Sequence, residues 1–168
     1  MDTATETSNH HDPDQAARVR KAIHSRSFAM LSTVSPAGFP HAAGVIYVPI
    51  GDELWVHTMR SSRKARNVAA DGRIGVVVPV RKLPVGPPFT VQFQGRAEIV
   101  DMNDPEVTPH IESKALKAIT SHGELDTEDG CYIRIRPAGV VHSYGIGVSA
   151  IAVAKDPLNN GPKSVRLS

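Results

Sequence analysis

The chain has a single cysteine, Cys131, among its 168 residues, which excludes an internal disulfide and any cysteine-rich zinc site. Aromatic residues are scarce, with four Phe, three Tyr and one Trp. Few rings are left to interleave with basic side chains, and that argues against a stacking surface for nucleic acid. Charge of one sign is also lacking. Nineteen basic against 17 acidic residues leave a formal net charge of +2, too small to imply nucleic acid or an anionic membrane as partner. No apolar run approaches the roughly 18 residues that cross a bilayer. The polar, acidic start of the chain has no apolar core of a secretory signal. These absences lead us to expect a soluble, cytoplasmic protein. No catalytic triad or pair of carboxylates stands out either.

What is present is ordinary globular material, 40% hydrophobic and 21% charged. A chain of this length forms one domain by default and buries roughly 68–70% of its unfolded surface. Residues 1–11 hold almost nothing to bury and read as a disordered tail; the His10-His11-Asp12 cluster there is incidental, and no metal site is expected. Asp12-Pro13 caps a helix that should run to about Arg26, with Ala16, Val19, Ala22 and Ile23 on one face. The character then changes to β. Strands are expected at Phe28–Val34, Pro40–Pro49, Glu53–Thr58, Arg73–Val80 and Phe89–Asp101, joined by short turns and, at 81–88, a Pro-rich loop. Gly95 marks a bend in the last of these. Asp104–Ser121 reads as helical, broken at Pro109. Two closing strands, Cys131–Arg136 and Val140–Tyr144, flank a Pro137-Ala138-Gly139 turn. After Gly145 an apolar run, Val148–Ala154, gives way to a loop-like segment at 156–162. The domain therefore spans 12–145 and 146–168 forms a C-terminal arm. The pattern is mainly β, a small antiparallel barrel with helices at its ends.

The chemistry concentrates between Glu53 and Val68. A strand ends at Thr58, and a helix capped by Ser61 or Ser62 runs to Ala70 and closes on Asp71-Gly72 as a C-cap. Arg60, Arg63, Lys64 and Arg66 crowd this turn, and no acid lies between Glu53 and Asp71 in the chain. Hydroxyls, free N–H groups and cations at a helix start suit an anion; the alternative is a solvated basic helix face.

The order of these pieces resembles the split-barrel superfamily that includes pyridoxamine 5'-phosphate oxidase. Within it the chain is similar to the flavin/deazaflavin oxidoreductases of the B type, many of which use coenzyme F-420. The resemblance rests on Phe28–Val34 with Pro36-Ala37-Gly38-Phe39-Pro40-His41, on Thr58 with Ser62-Arg63-Lys64-Ala65-Arg66-Asn67-Val68, on Gly95-Arg96-Ala97-Glu98, and on Arg134-Ile135-Arg136-Pro137 with His142-Ser143-Tyr144-Gly145. It implies a six- to seven-stranded antiparallel split β-barrel that works as a homodimer with the cofactor at the interface. It places the cofactor phosphate against Thr58, Arg60, Ser61, Ser62 and Lys64, with Arg66 and Asn67 completing the motif; Asn67 either joins that site or bonds back to strand backbone. The second strand would lie along the ring system, bringing in His41, Ala43 and Val45. Gln92 or Gln94 of a partner chain would close the pocket. His41 is the one candidate proton donor, since the ring of such a cofactor carries the hydride chemistry itself. The cofactor candidates are F-420, FMN and FAD, with haem as an alternative, because related barrels handle it. The Trp-containing C-terminal motif of true pyridoxamine 5'-phosphate oxidases is missing, so vitamin B6 oxidation is not expected. The implied activity is hydride transfer to a small quinone, tetrapyrrole, nitro compound or enone; the alternative is a cofactor- or haem-binding protein without turnover.

Overall fold

Asp12 starts the first helix, α1 (Pro13–His24), by accepting a hydrogen bond from the Gln15 backbone N–H at 3.0 Å, with Pro13 in the first turn. Ala16, Val19, Ala22 and Ile23 are buried, and the helix stops two residues earlier than expected, where Ser25 N–H closes on the Lys21 carbonyl. The structure is a computed structural model that describes residues 12–80 and 89–167. The expected tail 1–11, with His10 and His11, and the expected Pro-rich loop 81–88, with Arg81 and Lys82, lie outside the described residues.

Among the described residues eight strands form one antiparallel sheet: β1 (Phe28–Val34), β2 (Pro40–Ile46), β3 (Val48–Ile50), β4 (Glu53–Met59), β5 (Arg73–Val80), β6 (Phe89–Asp101), β7 (Gly130–Tyr144) and β8 (Pro162–Val165). Their order is β2-β1-β5-β6-β7-β4-β3, with β8 added beside β7. β2 and β3 stand at opposite ends of that order, yet only Tyr47 separates them in the chain. The sheet must therefore curl until its two edges meet at this residue. Tyr47 is buried there, donating its hydroxyl to the Ile23 carbonyl at 2.7 Å and its N–H to the Ser27 carbonyl at 2.8 Å. Inward residues of the strands, among them Leu31, Val56, Val76, Val91 and Ile133, form the main core with the apolar face of α1.

The mainly β, split-barrel architecture expected from the sequence is the one observed. The strand count differs for three reasons. The expected single strand Pro40–Pro49 breaks at Tyr47, where the chain passes from one sheet edge to the other. The two expected closing strands are one continuous β7; Pro137-Ala138-Gly139 is not a turn but part of a bulge. Phe93 pairs with Val141 and Gly95 with Pro137, so Gln94 faces the three residues between them, and Gly139 takes φ +74°. The segment after Ala154, expected as loop, forms the helix α5 (Pro157–Asn160) and the strand β8, preceded by the helix α4 (Ala150–Lys155). Val153 and Val165 of this segment are buried in the main core, so the apolar run there has its partner in the barrel.

Two further corrections concern the connections. The helix α2 (Arg63–Ala70) ends on Asp71 in extended backbone, and Gly72 is not its cap; it is needed because a Cβ there would sit 2.5 Å from the Ala97 carbonyl oxygen. The expected helix 104–121 is mostly irregular. It keeps the short α3 (Thr108–Glu112), whose first turn holds Pro109, and a 3-10 turn at Lys117–Ile119. Pro109 thus opens a helix and does not break one. Of the expected stripe, Leu116 and Ile119 are buried while Ala115 is exposed. With Val107 they cover Trp55 and Tyr132 on the outer face of the barrel, a second core.

Gly95, expected at a bend, sits at the bulge. A Cβ there would lie 2.3 Å from the Arg136 carbonyl oxygen. Gly95→Ala is therefore expected to cost about 1–3 kcal/mol of stability by urea unfolding; an unchanged midpoint would mean that β6 and β7 separate at no cost.

Candidate functional site

Alternation along β4 turns Val56 and Thr58 toward the barrel interior and His57 to the outer side. The chain then turns through 60–62 into α2. Ser62 is the N-cap, its hydroxyl oxygen accepting from Ala65 N–H at 3.3 Å and lying 3.2 Å from the Thr58 hydroxyl. Ala65, Asn67 and Val68 seat α2 on the sheet. The buried Asn67 amide donates to the Thr33 hydroxyl on β1 at 2.9 Å.

Strand β4 is bonded along one side to β7 over Leu54–Met59. On its other side β3 covers only Glu53–Trp55. From Val56 onward that side has no strand partner among the described residues, and β2 pairs only with β1. Between these two open edges lies a cavity of about 390 Å³. Gly44, Val45 and Ile46 of β2 form one wall, and Val56 and His57 the other. Lys64 enters from α2, and the segment carrying Ala118, Ile119, His122 and Glu124 covers it.

Of the expected site residues, Val45 and Lys64 line this cavity. Lys64 makes no ion pair among the described residues, and neither do Arg63 and Arg66, which are exposed and do not line the cavity. Thr58 and Ser62 stand at the capped start of the helix that carries Lys64. Arg60 and Ser61 face acids that are distant in sequence. Arg60 pairs with Asp101 and donates its N–H to the Asp129 carbonyl, and Ser61 donates both N–H and hydroxyl to the Asp129 carboxylate, at 3.1 and 2.5 Å. Those bonds hold the Asp129 carboxyl below the usual range. His41 and Ala43 are half-buried on β2 and do not line the cavity; His41 Nδ1 is sealed without a partner. Gln94 lies with Gln92 and His142 in a separate groove of about 570 Å³ on the outer face of the sheet. Among the described residues no three histidine, cysteine or acidic side chains group to hold a metal, and no helix is long and apolar enough to cross a membrane.

Sequence reasoning missed the Ala118–Glu124 cover, which has no local signature and arrives some 60 residues after the motif it covers. His57 of β4 is also a wall residue of this cavity. Burial lowers the His57 pKa, with Glu124 acting against that shift. Glu124 is itself held low by the His122 N–H, 2.6 Å from its carboxylate. Asn67→Ala is expected to cost about 1–3 kcal/mol in urea unfolding, since it removes the buried donor to the Thr33 hydroxyl and leaves that hydroxyl only the His41 carbonyl at 3.5 Å. Wild-type stability in that variant would instead free Asn67 for a ligand.

An antiparallel sheet curled until its edges meet, with a basic helix start at the seam, defines the split β-barrel class. The chain belongs to the pyridoxamine 5'-phosphate oxidase family, whose pattern it matches over residues 16–141. No curated protein gives a match. Among solved structures it is similar to a heme binding protein from Mycobacterium smegmatis, with 20% identity and a TM-score of 0.69 over 92% of this chain and 58% of that one. This chain thus spans less than two thirds of that protein's length. It is also similar to a FAD-binding protein from Mesorhizobium loti, with 18% identity and a TM-score of 0.60 over 76% of this chain and 90% of that one. The heme storage protein HutZ from Vibrio cholerae aligns with 16% identity and a TM-score of 0.60, over 77% of this chain and 92% of that one. At such identities the likeness is one of fold.

Proposed function

We propose that the chain binds a flavin or deazaflavin (FMN, FAD or F-420) by its phosphate arm in the seam cavity, and that it is an oxidoreductase passing hydride to a small organic acceptor. The observation that carries this is the cavity between two strand edges that have no partner there among the described residues, lined by a lysine with no ion pair among them. Such a cofactor supplies the hydride chemistry when bound. The chain's own residues do the rest. Lys64 places a point charge on phosphate, beside the Thr58 and Ser62 hydroxyls. The open edge of β2 over Gly44–Ile46 offers backbone groups to a planar ring, with the Phe28 ring packed where a Gly44 side chain would be. Val56 and Ile119 exclude water.

A homodimer fits this reading. Phe28, Met30 and Ile46 are exposed together on the outer face of β1 and β2, where Phe28 is paired with Ile46 and Met30 with Gly44. Ile46 is 51% exposed and also lines the cavity, so this apolar face is continuous with the site. A partner's Gln92 or Gln94 groove is the surface proposed to close it. Light scattering should give twice 18.0 kDa, and Ile46→Asp should give a monomer; a monomeric wild type would remove the dimer.

A second reading, a haem-binding or carrier protein of the same fold, is favoured by the two haem-associated structural neighbours. An absorption spectrum of the purified protein, with mass spectrometry of the extracted ligand, separates the two. Flavin or deazaflavin bands support the first reading, and a haem Soret band replaces it with the second.

A further inference from the structure

His57 is an ionisable wall residue of the seam cavity to which the phosphate arm assigns no work. Its imidazole packs edge-on against Tyr132, with ring centroids 5.8 Å apart, and its Nε2 is sealed from solvent with no partner. Buried donors are left orphaned more rarely than acceptors are left under-used. The neutral ring therefore keeps its proton on Nδ1, and imidazolium carries one on the sealed Nε2 as well, a cost that holds the free ring neutral and that a ligand's charge has to outweigh. Four groups share its surroundings. Glu124 and His122 come from the covering segment, Lys64 from α2 and Tyr132 from β7. The Tyr132 hydroxyl is pushed up to about 12, first by burial and then by Glu124, and stays neutral. Glu124 stays charged. Burial keeps His57 below the ordinary imidazole range, so the free protein holds it neutral at pH 7.

We propose that His57 takes up a proton when a phosphate-bearing ligand occupies the cavity, so that ligand binding and proton binding are coupled at this residue. The inference rests on reading the cavity as the cofactor site. An anion in the cavity favours imidazolium over imidazole, and Glu124 already acts in that direction. The sign follows from linkage. A His57 pKa higher in the complex than in the free protein tightens binding as pH falls through the bound value, and the gain is complete below the free value. A rise of about one pH unit in the His57 midpoint corresponds to about tenfold in affinity across that window.

The test compares the full-length protein with His57→Gln, and with His57→Asn should Gln fail to fold. Titration calorimetry with FMN near pH 6.5, in two buffers of different ionisation enthalpy, counts protons taken up per ligand. The second ionisation of the phosphate, at about 6, is common to both proteins and cancels. NMR follows the His57 ring alone, with FMN, and with inorganic pyrophosphate. We expect the wild type to take up as much as roughly half a proton in excess of the uptake by His57→Gln, and the His57 midpoint to rise by about one pH unit. Equal uptake in both proteins, or an unmoved midpoint, overturns the proposal. FMN binding with His57 unmoved ends this inference and leaves the flavin reading standing. A midpoint raised by pyrophosphate where neither FMN nor F-420 binds ends the flavin-type reading and leaves this one. A midpoint moved by neither probe ends it.

Discussion

Lys64→Ala is expected to raise the dissociation constant for FMN by about 10- to 100-fold while leaving the protein folded. Lys64 is the cation that the fold delivers to the seam cavity, and it has no ion pair among the described residues to share its charge with. A hydrogen bond to a charged group is worth about 1.5–3 kcal/mol, and each 1.4 kcal/mol is tenfold in affinity. The lysine is half-buried on α2 and absent from the hydrophobic cores, so truncating it should barely move the unfolding midpoint. Arg60→Ala is the control. Arg60 belongs to the same basic turn, but it is already paired with Asp101, so its loss should weaken FMN far less. Fluorescence titration of the two variants decides the matter. A folded Lys64→Ala protein with unchanged affinity for FMN and F-420 would take the phosphate out of this cavity.

Trp55→Ala should cost about 3–5 kcal/mol, against a typical total stability of about 5–15 kcal/mol for a domain. Trp55 is the one tryptophan of the chain and is 1% exposed. Its ring meets His110 at 5.3 Å and Tyr132 at 6.1 Å, the Arg134 guanidinium stacks 5.5 Å from its centre, and its Nε1 donates to Glu53 at 3.2 Å. Leu116 and Ile119 pack in the same outer core. The irregular segment between β6 and β7 has little regular structure of its own, so this ring anchors it. Because Ile119 also lines the cavity, FMN affinity should fall together with stability. Far-UV circular dichroism in urea measures the loss, since the variant has no tryptophan fluorescence to follow. A cost below about 1 kcal/mol, less than the usual range for such a truncation, would show that the outer segment is held by something else.

Where local pattern decides structure, the sequence was readable. Asp12-Pro13 starts α1, alternation from Phe89 to Gln94 gives β6, and the hydroxyl before Arg63 caps α2. The misses are all non-local. Nothing in the run Val45–Val48 distinguishes a straight strand from one that changes sheet edge at Tyr47, because four consecutive apolar or aromatic residues suit either. Pro137-Ala138-Gly139 has turn chemistry, and a bulge uses the same φ > 0 glycine. The end of the chain reads as loop because β8 is polar on one face and draws its register from β7. The site divides in the same way. The basic turn and Lys64 were legible locally, including the helix start. That Asp101 and Asp129 would engage Arg60 and Ser61 was not, since no acid lies nearby in the chain. Nor was the meeting of His57 with Glu124, which are brought together only when the outer segment folds over β4. The expected grouping of Gln94 with this site does not occur within one chain; it lies on another face.

The central claim is that a phosphate-bearing flavin-type cofactor occupies the seam between β2 and β4. An amide NMR titration of the labelled protein with FMN tests it most directly. The largest shifts are expected at Gly44–Ile46, Val56, His57 and Lys64, with their loss in Lys64→Ala at the same FMN concentration. Shifts confined to the groove of Gln92, Gln94 and His142, or none at saturating FMN and F-420, would contradict it.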